Sequence, residues 1–166
     1  MDRFSIVVGD ITQSDAEAIV NAANPTLLGG GGVDGAIHAA AGPELLAECR
    51  TLGGCEPGQA RLTRGYRLRS RYILHTPGPV WQGGGMGEPA ILASCYRSCL
   101  ELAAEHGLKS VAFCCVSTGE FHFPHKDAAE IAVGAVKAFL ETRSPVKRVI
   151  FNVFQDLDAK IYRGLL

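Results

Sequence analysis

Residues 18–41 read AIVNAANPTLLGGGGVDGAIHAAA, and their order decides the kind of fold the chain adopts. Ala18-Ile19-Val20 is an apolar run of strand length. Asn21-Ala22-Ala23-Asn24-Pro25 ends it, because asparagine and proline favour a turn over a continuing ladder. Four glycines, Gly29 to Gly32, then open onto a small-residue helix from Val33 to Ala41. Without Cβ atoms such a loop can take positive φ and approach a ligand closely, and the first helical turn offers N–H groups that have no partner of their own. That arrangement suits an anion, a phosphate above all. No Gly-Lys-Ser/Thr follows the glycines, so this is not a P-loop, and it is not a full dinucleotide fingerprint either. Taken alone, the run fits a flexible surface loop equally well. Asn21 and Asn24 flank the strand end, where asparagine is a common turn former but where its amide can also grip a ribose hydroxyl. Asp34, ten residues beyond Asn24, adds a carboxylate able to orient water.

On either side of this stretch, strands and helices alternate. Phe4 to Val8 reads as a strand, Pro43 to Leu52 as a helix, and Ala60–Thr63 and Tyr72–His75 as strands. Pro77-Gly78-Pro79 and Gln82-Gly83-Gly84-Gly85 predict a mobile surface loop. Ile91, Leu92, Cys95, Cys99, Leu102 and Ala103 recur at steps of three and four, which predicts an amphipathic helix over Glu88–Glu105. Ser110 to Val116 is a continuous apolar run, as expected of a strand buried on both faces. A helix around Ala128–Phe139, a strand over Val146–Val153 and a helix over Asp158–Leu165 complete the chain. Such alternation predicts an α/β fold, a single domain over residues 1–166 with a mostly parallel sheet and helices on both faces. Ligands then bind beyond the carboxyl ends of the strands, where the segments at Asn21, Ser117 and Phe154 converge.

A second loop, Ser117-Thr118-Gly119-Glu120-Phe121-His122-Phe123-Pro124, also lies between a buried strand and a helix. Its small residues expose backbone donors, and Pro124 suits a helix start. Phe121 and Phe123 stand outside any periodic face, so either can pack on a sugar or base, or cap the core. Asp10 fits a helix N-cap or an Asx turn. His38 reads as a packed histidine more readily than as a base. The six cysteines contain no C-x-x-C, and the five histidines show no metal spacing, so the thiols read as buried small hydrophobes. There is no G-x-S-x-G elbow of a serine hydrolase.

Hydrophobic residues make up 47% and charged residues 20%, the balance of a soluble globule. A net charge of -1 supplies no field for a nucleic-acid backbone, and the five arginines between Arg61 and Arg71 read as a solvated face, so nucleic acid is disfavoured as a partner. The start of the chain lacks a secretory signal, and no apolar run is long enough for a membrane span. A cytoplasmic monomer is expected.

Five segments, taken in order, resemble the macrodomain family over nearly the whole chain. They are Gly9-Asp10-Ile11-Thr12, Ile19 to Asn24, Leu28 to His38, Ile73-Leu74-His75-Thr76-Pro77-Gly78-Pro79 and Ser117-Thr118-Gly119. Asn24 combined with Gly-Gly-Gly-Val-Asp-Gly resembles the MacroD-type branch, whose members hydrolyse ADP-ribose esters. The resemblance implies a three-layer α/β/α sandwich around a central mixed, mostly parallel sheet. It also implies site roles. Asp10 receives the adenine amino group, with the Ile11 backbone beside it, and Phe154 stacks on the ring. Gly30, Gly31, Gly32 and Val33, with Ser117, Thr118, Gly119, Glu120 and Phe121, wrap the diphosphate. Asn24 holds the distal ribose, and Asp34 positions or activates the attacking water.

The expected activity is hydrolysis of the ester joining mono-ADP-ribose to Asp or Glu side chains, with O-acetyl-ADP-ribose deacetylation beside it. A non-catalytic ADP-ribose reader is the alternative. The partners implied are ADP-ribose, O-acetyl-ADP-ribose and mono-ADP-ribosylated proteins, with no cofactor. Glu120 and His122 depart from the MacroD pattern, and the stretch from Cys114 to Pro124 resembles zinc-containing, sirtuin-associated macrodomains. Those carry a Cys/His insertion that is absent here, so no metal is expected.

Overall fold

The computed structural model describes residues 3–166; Met1 and Asp2 lie outside the described residues. The elements run β1 (Phe4–Val8), a 3-10 turn (Ile11–Gln13), β2 (Ala18–Ala23), α1 (Gly32–Ala41), α2 (Pro43–Arg50), β3 (Arg61–Arg64), β4 (Tyr72–Pro77), α3 (Glu88–Glu105), β5 (Ser110–Phe113), α4 (His125–Leu140), β6 (Arg148–Val153) and α5 (Asp156–Leu165). The strands form one sheet in the order β1-β6-β5-β2-β4-β3. Every pairing is parallel except that of β3, which runs antiparallel to β4 at the edge. Helices α1 and α2 pack together against β2 and β3, and α3, α4 and α5 pack side by side as the second layer. The expected three-layer sandwich with a mixed, mostly parallel sheet is the fold observed.

The sheet's central residues explain why it is buried on both faces. Ile19, Ile73, Leu74, Val111, Phe113 and Phe151 are all fully enclosed. Removing each such side chain from water contributes about 1.5–3 kcal/mol. Phe151 lies between Phe4, 6.3 Å away, and Tyr162, 4.8 Å away, tying β1, β6 and α5 together. The cysteines are free, five of them buried and Cys115 half-buried. Burial pushes the Cys49 thiol up to about 11 and the Cys114 thiol up to about 12. They therefore pack as neutral hydrophobes.

Element bounds shift by up to three residues from expectation, and three departures bear on the site. Strand β2 runs on through Asn21 to Ala23, although the asparagine was expected to end it. The strand expected over Ser110–Val116 leaves the ladder after Phe113. From there the chain passes close under Gly78 and takes a left-handed turn at Ser117, φ 68°. The loop expected to be mobile around Gln82–Gly85 is fastened by backbone hydrogen bonds to Glu88. At the amino-terminal rim of the sheet, Arg3 and Leu165 both rest on the last turns of α4. The Arg3 guanidinium donates to the Leu140 carbonyl at 2.6 Å, and the Lys137 ammonium to the Leu165 carbonyl at 3.3 Å. Among the described residues no helix is long and apolar enough to cross a membrane.

Candidate functional site

A cleft of about 630 Å³ opens at the opposite rim, where the loops following β1, β2, β4, β5 and β6 meet. This is the size of a small-molecule site, and it is where a parallel sheet leaves room for one.

At one end stands Asp34, in the first turn of α1 and only 4% exposed. Its Oδ1 accepts from the Asn21 amide at 2.9 Å, and His38 Nε2 lies 3.4 Å from the same oxygen. The Asn21 amide nitrogen also donates to His75 Nδ1 at 3.1 Å. Thr63 Oγ1 donates to the Arg64 carbonyl, so at 2.9 Å it accepts from His75 Nε2. This fixes the histidine as the Nε2–H tautomer, with Nδ1 free to accept. Burial, with a smaller contribution from His38, pushes the His75 pKa down to about 3, so the ring stays neutral. Asp34 is thus held from behind by a buried chain of hydrogen bonds reaching the edge strand.

Ahead of Asp34, the Asn24 amide donates to the Gly29 carbonyl at 2.8 Å, and Asn24 Oδ1 accepts from the Thr26 N–H at 3.0 Å. A Cβ at Gly30 would sit 3.2 Å from Asp34 Oδ2 and 3.4 Å from Asn24 Nδ2. Glycine there keeps open the space that the carboxylate and the amide share. Gly31 caps α1 without a side chain, leaving the N–H groups of the first turn to face the cleft. Gly30, Gly31, Gly32 and Val33 all line it.

Ser117, Thr118, Gly119, Glu120 and Phe121 form the facing wall. The loop is closed by the Phe123 N–H donating to the Ser117 carbonyl at 2.8 Å and by the His122 N–H donating to Gly119 at 3.1 Å. Ser117 and His122 both hold positive φ, 68° and 61°. The Glu120 carboxylate overlies Gly31, so a side chain there would have to push it aside. The two phenylalanines divide: Phe121 lines the cleft, and Phe123 is buried in the core against Trp81, 4.7 Å between ring centres.

At the other end, Asp10 Oδ1 caps the 3-10 turn through the Thr12 N–H at 2.9 Å and the Thr12 hydroxyl at 2.7 Å. Ile11 lines the cleft beside it. The Asn152 amide donates to the Gly9 carbonyl at 3.0 Å and joins this turn to the end of β6. Phe154, next along the chain, is 79% exposed, with its ring free to take a planar group. His125, at the start of α4, donates through Nδ1 to Asp158 Oδ1 at 2.6 Å, and both residues line the cleft. Cys115 lies nearby, where burial and the Asp158 charge hold its thiol far above the usual range and unsuited to act as a nucleophile.

Of the residues singled out in the sequence for the site, all but Asn21 reach the cleft wall. Asn21, expected among the ligand-binding residues, is fully buried and spends its amide nitrogen on Asp34 and His75. It sits mid-strand in register with His75, whose ring takes up the amide on the same side of the sheet. The sequence gives no sign of the His125–Asp158 pair or of the His75 chain, both formed between residues far apart. His38 packs, as its sequence setting suggests, but it packs against Asp34.

The family model for the Macro domain matches residues 20–132. A macro domain-containing protein of Mesorhizobium japonicum is 56% identical over 98% of this chain and 92% of its own. The ADP-ribose glycohydrolase MACROD2 of Homo sapiens is 51% identical over 98% of this chain, which corresponds to 39% of that longer protein. The crystal structure of the Trypanosoma brucei macrodomain in complex with ADP-ribose superimposes with a TM-score of 0.93 at 47% identity, covering 98% of this chain and 68% of the other. With the strand order, the glycine loop and these likenesses all in agreement, the chain belongs to the macro domain family.

Proposed function

We propose that this protein binds ADP-ribose in the cleft and hydrolyses the ester that joins mono-ADP-ribose to an acidic side chain. One observation carries the hydrolase reading: a buried carboxylate, Asp34, is locked through Oδ1 while its Oδ2 faces the Asn24 side chain across the gap left by Gly30. A binding module needs no carboxylate beside a ligand that is itself anionic. A hydrolase does, because water must be aligned with the scissile bond. In this reading the adenine lies between Asp10 and Phe154, and the diphosphate between the glycine loop and the Ser117–Phe121 wall. The distal ribose lies at Asn24, with the attacking water on Asp34. Water adds, the C–O ester bond breaks, and ADP-ribose leaves with a free side-chain carboxyl. O-acetyl-ADP-ribose presents the same kind of bond and is a second substrate in this proposal.

The test pairs calorimetric titration of ADP-ribose with release of ADP-ribose from a glutamate-modified protein, for the parent and Asp34→Asn. Turnover is expected to fall by about a hundredfold or more, while affinity stays within a few-fold. Binding with no turnover in the parent would leave a reader. No binding would sink the proposal.

A further inference from the structure

The loop between β4 and α3 does not line the cleft beyond Gly78, yet it is built more tightly than a connection requires. Glu88, the first residue of α3, is 2% exposed and has no cationic partner among the described residues. Its carboxylate is satisfied by backbone instead, accepting from the N–H groups of Gln82 at 2.8 Å, Gly84 at 2.9 Å and Met86 at 2.6 Å. Burial alone would raise its pKa; its own backbone N–H and these three donors together outweigh that and hold it below the usual carboxylate range. An ionised carboxylate with several N–H donors is a strong, directional anchor. Here it winds residues 82–86 into a single turn.

That turn closes over Trp81. Gly84 has φ 90°, and a Cβ on it would come 2.9 Å from the indole ring, so only glycine lets the backbone lie this close. Trp81 in turn grips the phosphate-facing wall at two points. Its backbone N–H donates to the Phe121 carbonyl at 2.8 Å, and its ring packs on Phe123. Phe123 closes the Ser117 loop through its own N–H. Gly78, at the start of the same connection, presses against Ser117. The contacts therefore run from Glu88 through Trp81 to the backbone of the loop that faces Gly31.

We propose that Glu88 is a positioning residue for anion binding: through Trp81 it holds the Ser117–Phe121 backbone in the shape that receives a diphosphate. The ligand class rests on the function proposed above; the mechanical link does not. Left-handed Ser117 and His122 are costly conformations that persist only when their surroundings hold them. Glu88 and Trp81 supply that hold from outside the cleft.

The chain has one tryptophan, so its fluorescence reports on this contact directly. The experiment uses the whole chain, with Glu88→Gln and, as a second variant confined to the loop, Gly84→Ala. ADP is the titrant, and amide hydrogen exchange is followed over residues 117–123 without ligand. Both variants are expected to shift Trp81 emission to the red and to speed exchange at 117–123. They should weaken ADP binding about tenfold and raise KM with kcat within about twofold, at unchanged helical circular dichroism. A purely structural role would lower the melting temperature and leave affinity and the exchange of 117–123 at parental values; that result overturns the proposal. If the parent itself binds no ADP, the functional reading fails, and exchange at 117–123 still decides whether Glu88 positions the loop. If Glu88→Gln does not fold, exchange and affinity in Gly84→Ala decide the matter by the same two outcomes.

Discussion

Glu120 is the residue most at odds with an anionic ligand. Its carboxylate lies over Gly31, between the two loops that would receive a diphosphate, and its exposed side chain is free to swing away. A negative charge there opposes ligand entry without blocking it. Glu120→Gln is therefore expected to tighten ADP binding by about fivefold at low salt, less at high salt as screening removes the repulsion. Calorimetry at two ionic strengths checks this, and equal affinities for both proteins would show that Glu120 leaves when the ligand arrives. At this scale much was legible: Asp34, Asn24 and the glycines stand out because their neighbours in sequence are their neighbours in the cleft, whereas Phe154 was indicated by the family resemblance alone. Asn21 was not legible as a support. Its partner His75 arrives from the adjacent strand, and nothing local to Asn21 announces it.

Among the elements, α1 bears most of the geometry. Its first turn holds Asp34, its amino-terminal N–H groups face the cleft, and Gly35 lets it settle on the loop before it. A Cβ at Gly35 would come 2.6 Å from the Gly30 carbonyl oxygen, a backbone atom with little freedom to retreat. Gly35→Ala is expected to displace the glycine loop, costing about 1–3 kcal/mol of stability and most of the ADP affinity. Denaturant unfolding with ligand titration reads both, and full affinity in the variant would refute the close approach. Helix α3 was legible from its three-and-four spacing, residue for residue, because burial on one face writes itself into sequence. The end of β5 was not. Cys114 to Val116 are as apolar as the strand before them, and what ends the ladder is the turn under Gly78.

For the whole molecule, the buried His75 makes stability depend on pH. Its folded pKa lies near 3, against an ordinary value near 6.5, so between those limits the unfolded chain binds the proton and the folded one does not. Stability is then complete above about pH 6.5 and falls as pH drops towards 3, with a slope on the order of 1 kcal/mol per pH unit. His75→Gln, which cannot titrate, is expected to flatten that part of the curve at the cost of a lower plateau. Parallel slopes in the two proteins would assign acid lability elsewhere. Turnover in the variant should also fall, since Asn21 and Asp34 lose the ring behind them.

The positions of Arg3 and Leu165 have a practical outcome. Arg3 and Leu165 both rest on the last turns of α4, across the sheet from the cleft. A linker or a solid support attached at either residue would leave the opening turned towards solution. Immobilised through Arg3 or Leu165, the domain should retain the ligand capacity it has when free.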